Sequence, residues 1–503
     1  MKLLRRLLPI IAVLNSLVIT GCSLTPAAPD TPLSRCQQQL HKLQQVINQH
    51  LTVDAQYQQV EGFPTYRTNR FWSSFEPEAL TLDQQDQWRR KLHQLGMDSL
   101  EIEWRNLPTD VGKQLGSYED FQSSCDAVLY EDSLTKPLQT DALQVTDSYN
   151  DWLRFFGFYA IIKYAATQSI AEYQDEMRTR INGFETPPGP FNHYHPTRSR
   201  STPPIQRWLQ QAYRGNPLAL PGLDANQLQS LFAAHAPDFY IKHETDADLP
   251  GAAHWISVEG KAERAIDSAH PAVYTYPSYI RFNGAILLQL NYTIWFSERP
   301  KPTEDDWYGG KLDGLVWRVT LQPDGQILMY DSIHPCGCYH TVHVPLDSPL
   351  HDVIAKLDQS KSLEPILFFD STLTASQSAV ALTLEAGTHY LLNVTAVDAA
   401  ISAPIQTNNS GNYELLHYDS LRSLPNATST SRFRNWFDSN GRIKESARRE
   451  RYFLWPLGVD SAGAMRQQGN HAIAFVGKRH FDAASVERLL NIPNQNRTPK
   501  GPR

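Results

Sequence analysis

The chain carries none of the common catalytic signatures: it lacks His-Glu-x-x-His, Gly-x-Ser-x-Gly, a phosphate-binding loop and the Gly-x-Gly-x-x-Gly of dinucleotide folds. These absences disfavour the common zinc proteases, serine esterases and nucleotide enzymes. It also lacks a field of one sign. With 46 basic against 53 acidic residues the formal charge is −7, and charged residues make up only 20%, so no nucleic-acid partner is expected. No run inside the body approaches the roughly 20 apolar residues of a helical membrane span. Phe155 to Ala166 is interrupted by Lys163, and Ala285 to Phe296 contains Gln289 and Asn291. Cysteine is scarce, at five residues in 503.

The amino end has the order of an export signal. Lys2, Arg5 and Arg6 precede an apolar stretch from Leu7 to Ile19, which closes on the small pair Thr20 and Gly21 before Cys22. Residues 1–21 are therefore expected to be a removed signal peptide. Ile19-Thr20-Gly21-Cys22 resembles the lipobox of bacterial lipoprotein precursors. The resemblance implies lipidation at Cys22: diacylglycerol on the thiol, cleavage just before it, then acylation of the new amine. At about 0.8 kcal/mol per buried methylene, several chains would hold the body stably to a lipid bilayer. Ser23 resembles the residue that sends such precursors to the outer membrane, which implies a cell-envelope location on its periplasmic face.

About 480 residues remain after cleavage, enough for two or three domains. Residues 22–33, rich in Pro, Thr and Ala, suit a tether. Residues 34–182 read as a helical domain. Its first helix starts at Ser34, where Ser34 and Gln37 form a capping-box pattern and Cys36, Leu40, Leu43, Ile47 and Leu51 share a face. A long helix follows Ser148, with Trp152, Phe155, Tyr159, Ile162, Ala166, Ile170, Tyr173 and Met177 at helical spacing, and these are expected to be core. Residues 183–222 form a Pro-rich linker, within which His193 and His195 read as a surface loop.

Residues 223–490 read as an antiparallel α+β domain, in which the period turns from helical to alternating after Tyr274. Leu288, Leu290, Tyr292, Ile294 and Phe296 share one side of a strand, and Asn283-Gly284 before them signals a hairpin. A second hairpin runs from Leu315 to Leu321, turns at Pro323-Asp324-Gly325 and returns from Ile327 to Asp331; further strands are expected at Ile366 to Phe369 and His389 to Val397. The fold class is thus α+β: a helical first part, then a larger, mainly antiparallel sheet with peripheral helices. The Arg-rich run from Arg432 to Arg451 reads as a solvated charged helix, and residues 491–503 as a disordered tail.

Four cysteines survive in the mature body. In an oxidising compartment an even count suggests disulfides. Cys336 and Cys338 are so close together that Cys36 with Cys125 is the natural pair. Closing a loop of about 90 residues would contribute about 4 to 5 kcal/mol on the chain-entropy model.

The densest chemistry lies from His334 to His343, with five nitrogen or sulfur ligands in ten residues. His334, Cys336, Cys338 and His340 suit zinc or copper. A straight strand would spread them over about 20 Å, but Pro335 and Gly337 favour a curled loop that gathers two or three, with His254, Glu298 and His389 as further ligands. The same cysteines could instead serve as a redox pair, since a Cys-Gly-Cys disulfide closes a small, strained ring. A third reading is an inert local bridge with hydrogen-bonded histidines. Asp305, Asp306, Asp313 and Asp331 are candidate carboxylates to orient an imidazole or act as acid or base, and His471 and His480, near Arg466 and Arg479, form a second polar candidate. The competing class is a non-catalytic envelope protein that binds a partner or cell-wall component through aromatic and Arg-rich surfaces.

Overall fold

The structure is a computed structural model of the chain. It describes residues 30–185, 190–198, 200, 203–359, 362–370, 372–377, 379–397, 407–428 and 430–493. The expected signal segment, Cys22 and most of the tether lie outside the described residues, as does the tail beyond Pro493.

The first helix, α1 (Pro32–Gln49), begins a turn earlier than its pattern suggests. Thr31 is the cap, its hydroxyl accepting from Ser34 N, with Pro32 at the first helical position and Ser34 closing the capping box. Cys36, Leu40, Leu43 and Ile47 face inward, whereas Leu51 lies past the helix end and is exposed. Two strands, β1 (Gln58–Val60) and β2 (Phe63–Thr68), form a hairpin. They pack against α2 (Leu82–Arg105), where only glycine fits at position 96, since a Cβ would lie 1.9 Å from Thr65 O. After α3 (Thr109–Leu115), α4 (Tyr118–Leu134) lies against α1, and the Cys36–Cys125 disulfide joins them with Cα atoms 5.4 Å apart.

The helix expected after Ser148 is two helices. Asn150 caps α5 (Asp151–Phe156) by accepting from Trp152 N and Leu153 N, the chain bends at Gly157 and at Phe158 (φ 52°), and α6 runs over Tyr159–Asn182. The bend is tertiary in origin: a Cβ at Gly157 would sit 2.5 Å from Pro456 Cα. The stripe expected to be core is not. Trp152 and Phe155 are 71% and 72% exposed, and only Met177 of the eight is buried.

The described residues of the Pro-rich segment 183–222 are part of the fold rather than a free linker. They supply β3 (Phe191–Pro196) and α7 (Ile205–Gly215), and α8 (Ala225–His235) follows. His193, expected on a surface loop, is in β3, 3.0 Å from Asp238 and stacked on Tyr240. Next come β4 (Asp238–Lys242), the hairpin β5 (Ala252–Val258) and β6 (Lys261–Asp267), and then β7 (Ala272–Phe282). The long central strands are β8 (Ala285–Arg299), β9 (Gly310–Leu321) and β10 (Ile327–Ile333). The chain completes the sheet with β11 (Thr341–Val344), β12 (Leu367–Asp370), β13 (Val380–Leu384), β14 (Leu391–Ala396) and β15 (Thr407–His417). Eleven of these strands form one curled sheet in the order β12-β11-β10-β9-β8-β7-β15-β3-β4-β13-β14. Pairing is mostly antiparallel; β11 with β12, β7 with β15, β15 with β3 and β4 with β13 are parallel.

The two hairpins turn where expected, with positive φ at Asn283 and Gly284 and at Gly325. β8, expected to bury one face, buries both. Leu288, Leu290, Tyr292, Ile294 and Phe296 enter the main core, while on the opposite face Gln289 donates to Thr320 Oγ1 and Asn291 to Tyr276 O and Ser278 Oγ. Helices and loops from both ends of the chain cover that second face, which alternation cannot reveal. The Arg-rich segment from Arg432 to Arg451 is not a solvated helix either: Arg448 is buried and donates to Lys311 O and Leu312 O, and Arg434 lies over the Trp255 ring.

Candidate ligand cavity beneath the long helix

The loop after β10 curls as Pro335 and Gly337 suggest. Gly337 N donates to His334 O and His334 N to Cys338 O. Gly337 has φ 93° and lies so close to the neighbouring chain that a Cβ would sit 2.3 Å from Ala472 O, while Tyr339 adopts φ 64° without being glycine. This conformation turns Cys336, Cys338 and Tyr339 toward a cavity of about 760 Å³ whose roof is α6. Ile162, Ala166, Ile170 and Tyr173, the stripe expected to be core, line that roof.

His334 turns away from the cavity, while His340 borders it; each meets a buried carboxylate. His334 Nδ1 lies 3.2 Å from Asp313 Oδ1, and His389 Nδ1 lies 2.9 Å from Asp313 Oδ2, with Asp248 Oδ1 3.6 Å beyond His389 Nε2. Burial works against the charge of Asp313, but the two imidazoles outweigh it and hold the carboxyl well below its usual range. Burial lowers His334, whereas His389, although buried, is raised by Asp248 and Asp313. An ionised carboxylate only accepts, so Nδ1 of the neutral His334 carries the proton. His334 in turn braces two tyrosines, its ring 4.9 Å from Tyr339 and 5.6 Å from Tyr390 in edge-on contact. His340 Nε2 lies 3.3 Å from Asp331 Oδ2, the carboxylate that Arg318 grips with two nitrogens.

His334, Cys336, Cys338 and His340 therefore do not assemble as one ligand set. Among the described residues no group of three or more His, Cys, Asp or Glu side chains is placed to hold a metal ion. Asp313 and Asp331 hold the two imidazoles, and the thiols lie against each other, with Cys338 N donating to Cys336 Sγ at 3.4 Å. Of the further ligands considered, His389 joins the network through Asp313, while His254 and Glu298 do not. Asp305 and Asp306 stay in their loop. His480 pairs with Asp147, apart from the buried His471, which burial and Arg466 push down to about 4.

Cys336 and Cys338 are free, so the local bridge is absent. Contact with the Cys336 thiol and burial push the Cys338 thiol well above its ordinary range. Attack on a disulfide needs thiolate, so this arrangement opposes a redox role.

The other wall of the cavity carries the group that composition and spacing did not single out. Arg299, at the end of β8, donates from Nη1 to Tyr339 Oη at 3.4 Å and from Nη2 to Tyr390 Oη at 3.3 Å, and its guanidinium lies 5.1 Å from the Tyr390 ring centroid. Among the described residues no carboxylate pairs with it. Tyr173 Oη, close by on α6, is buried without a hydrogen-bond partner among them. Compared with family models, curated sequences and solved structures, the chain matches none. A guanidinium that stays charged, unpaired by acid and ringed by hydroxyl groups, is suited to a carboxylate or phosphate.

Glu450 also lines the cavity. Burial raises it to about 7 against the pull of Arg448 and Arg299. A carboxyl raised in the fold keeps its proton while the unfolded chain ionises, so folding weakens as pH rises from the ordinary value of 4.5 toward 7. Glu450→Gln is expected to change stability little at pH 4.5 and to stabilise the fold by about 3 kcal/mol at pH 8. Denaturant midpoints at the two pH values check this; equal shifts at both would show that Glu450 titrates normally.

Proposed function

We propose that this chain is an envelope lipoprotein, acylated on Cys22 and held on the periplasmic face of the outer membrane, whose body binds an anionic amphiphile in the cavity beneath α6. The observation that carries the binding reading is Arg299, set in the cavity wall with only tyrosine hydroxyls for partners. Its volume is within the roughly 300 to 1,000 Å³ of small-molecule sites. Its lining offers polar groups in Arg299, Tyr339, Tyr390 and Tyr173 and apolar ones in Ile162, Ala166, Phe453 and Leu454. A ligand with an acidic head and an apolar body satisfies both. The lipidation part rests on the lipobox pattern at residues 19–22.

Binding of dodecanoate to the purified mature protein, followed by calorimetry, tests the cavity. Saturable binding is expected, weakened about tenfold or more by Arg299→Gln, because a charge-assisted pair contributes roughly 1.5 to 3 kcal/mol. It is also expected to be weaker at pH 8 than at pH 6, since ionised Glu450 then competes for Arg299. Absence of saturable binding, or equal affinity in the variant, would remove this reading. Lipidation is tested separately by mass spectrometry of the mature amino terminus and by Cys22→Ala, which is expected to release the chain from the membrane fraction.

A further inference from the structure

The fold leaves one face uncovered at the mouth of this cavity. Ten large aromatic side chains are exposed among the described residues, and all ten lie on α5, the start of α6, the turn of helix at Arg451–Leu454 with Trp455 beside it, and the Trp307-Tyr308 pair. These elements touch: Gly157, between α5 and α6, abuts Pro456, and the Trp307 ring lies 5.6 Å from Phe453. The six exposed large side chains found elsewhere are all aliphatic and scattered: Leu51, Leu82, Leu134, Ile256, Val258 and Leu346. An apolar patch of this extent marks an interaction surface.

We propose that this face docks on a phospholipid bilayer, setting the cavity mouth against the lipid. Three observations favour lipid over a protein partner. Tryptophan and tyrosine, whose rings have an apolar body and a polar edge, recur across the face, as they do at membrane interfaces. Tyr308 and Phe453 belong both to the face and to the cavity wall, so the apolar surface runs from the outside into the cavity without a break. The chain between residue 22 and the first described residue, Asp30, spans at most about 30 Å however it folds, so an acyl anchor at Cys22 would keep the body within reach of the lipid. This last point rests on the lipidation reading; the first two do not. The rim carries both signs, with Arg449 donating to Glu304 O, next to Asp305 in the chain, and docking is driven by apolar burial more than by headgroup charge.

The test uses the unacylated mature chain, made as Cys22→Ser behind an ordinary secretory signal, so that failure of lipidation and failure of docking are distinguishable. Sedimentation with phosphatidylcholine vesicles, with and without phosphatidylglycerol, is compared with the Trp152→Ser/Phe155→Ser/Phe158→Ser variant, whose changes are all at exposed positions. The unacylated chain is expected to bind both kinds of vesicle, and the triple variant to bind at least tenfold more weakly with an unchanged melting curve. A chain that stays in the supernatant, as expected if the face serves a protein partner, would overturn the proposal. So would a triple variant that binds within twofold of the parent.

Discussion

Arg422→Ala is expected to cost about 3 to 5 kcal/mol of folding free energy. Arg422 is 2% exposed and grips Asp54 Oδ2 with Nε at 3.1 Å and Nη2 at 2.7 Å, while Gln467 donates to Asp54 Oδ1 at 2.8 Å. Asp54 N in turn donates to Glu103, the partner of Arg67. The network joins the end of the first helical segment to chain more than 360 residues later. Removing the guanidinium leaves the Asp54 carboxylate buried with too few donors, which is costlier than losing the pair itself. Burial opposes the Asp54 charge, but Arg422 outweighs it and holds the carboxyl below its ordinary range. The pair's contribution is therefore complete above the ordinary carboxylate pKa and is lost as pH falls through the lower, folded value. Denaturant midpoints of Arg422→Ala and of Asp54→Ala/Arg422→Ala measure this, the double change being expected to cost less than the sum. A single-variant loss below about 1 kcal/mol would show the pair to be solvated.

Reduction of the Cys36–Cys125 bond is expected to cost about 4 to 5 kcal/mol through the 89-residue separation it closes. The bond fastens α1, the first described helix, to α4. Thiol counting of the denatured Cys22→Ser chain should find two reactive groups, Cys336 and Cys338, and four after reduction. Four without reductant, or an unchanged unfolding midpoint after reduction, would contradict the pairing.

Local order was legible where neighbours in the chain decide it. The inward face of α1, the turns at Asn283-Gly284 and Gly325, and the curl of the loop at Gly337 all follow from caps, alternation and backbone freedom. The pairing of Cys36 with Cys125 needed only a count of cysteines and their spacing. The long aromatic helix shows the limit. Its period marks a stripe correctly, yet the stripe lines a cavity and an open face, because periodicity shows that one side differs without showing what covers it.

The same limit held at the candidate site. The ten residues from His334 to His343 drew attention by density, and the loop does border the cavity. The sequence also placed Asp313 among its carboxylates, but nothing in the spacing foretold that it would claim both His334 and His389. Arg299, Tyr173, Tyr390 and Glu450 were missed, for each is an ordinary residue in its own stretch.

From residues alone came the α+β class, the disulfide, the hairpins and the expectation of an acylated amino end, all of them consequences of short-range chemistry. Only the tertiary structure decided that an arginine at the end of β8 meets tyrosines from α6, the loop after β10 and the start of β14. The curl of the eleven-stranded sheet brings its last strand back toward its middle, and contacts made by such closure leave no trace in sequence spacing.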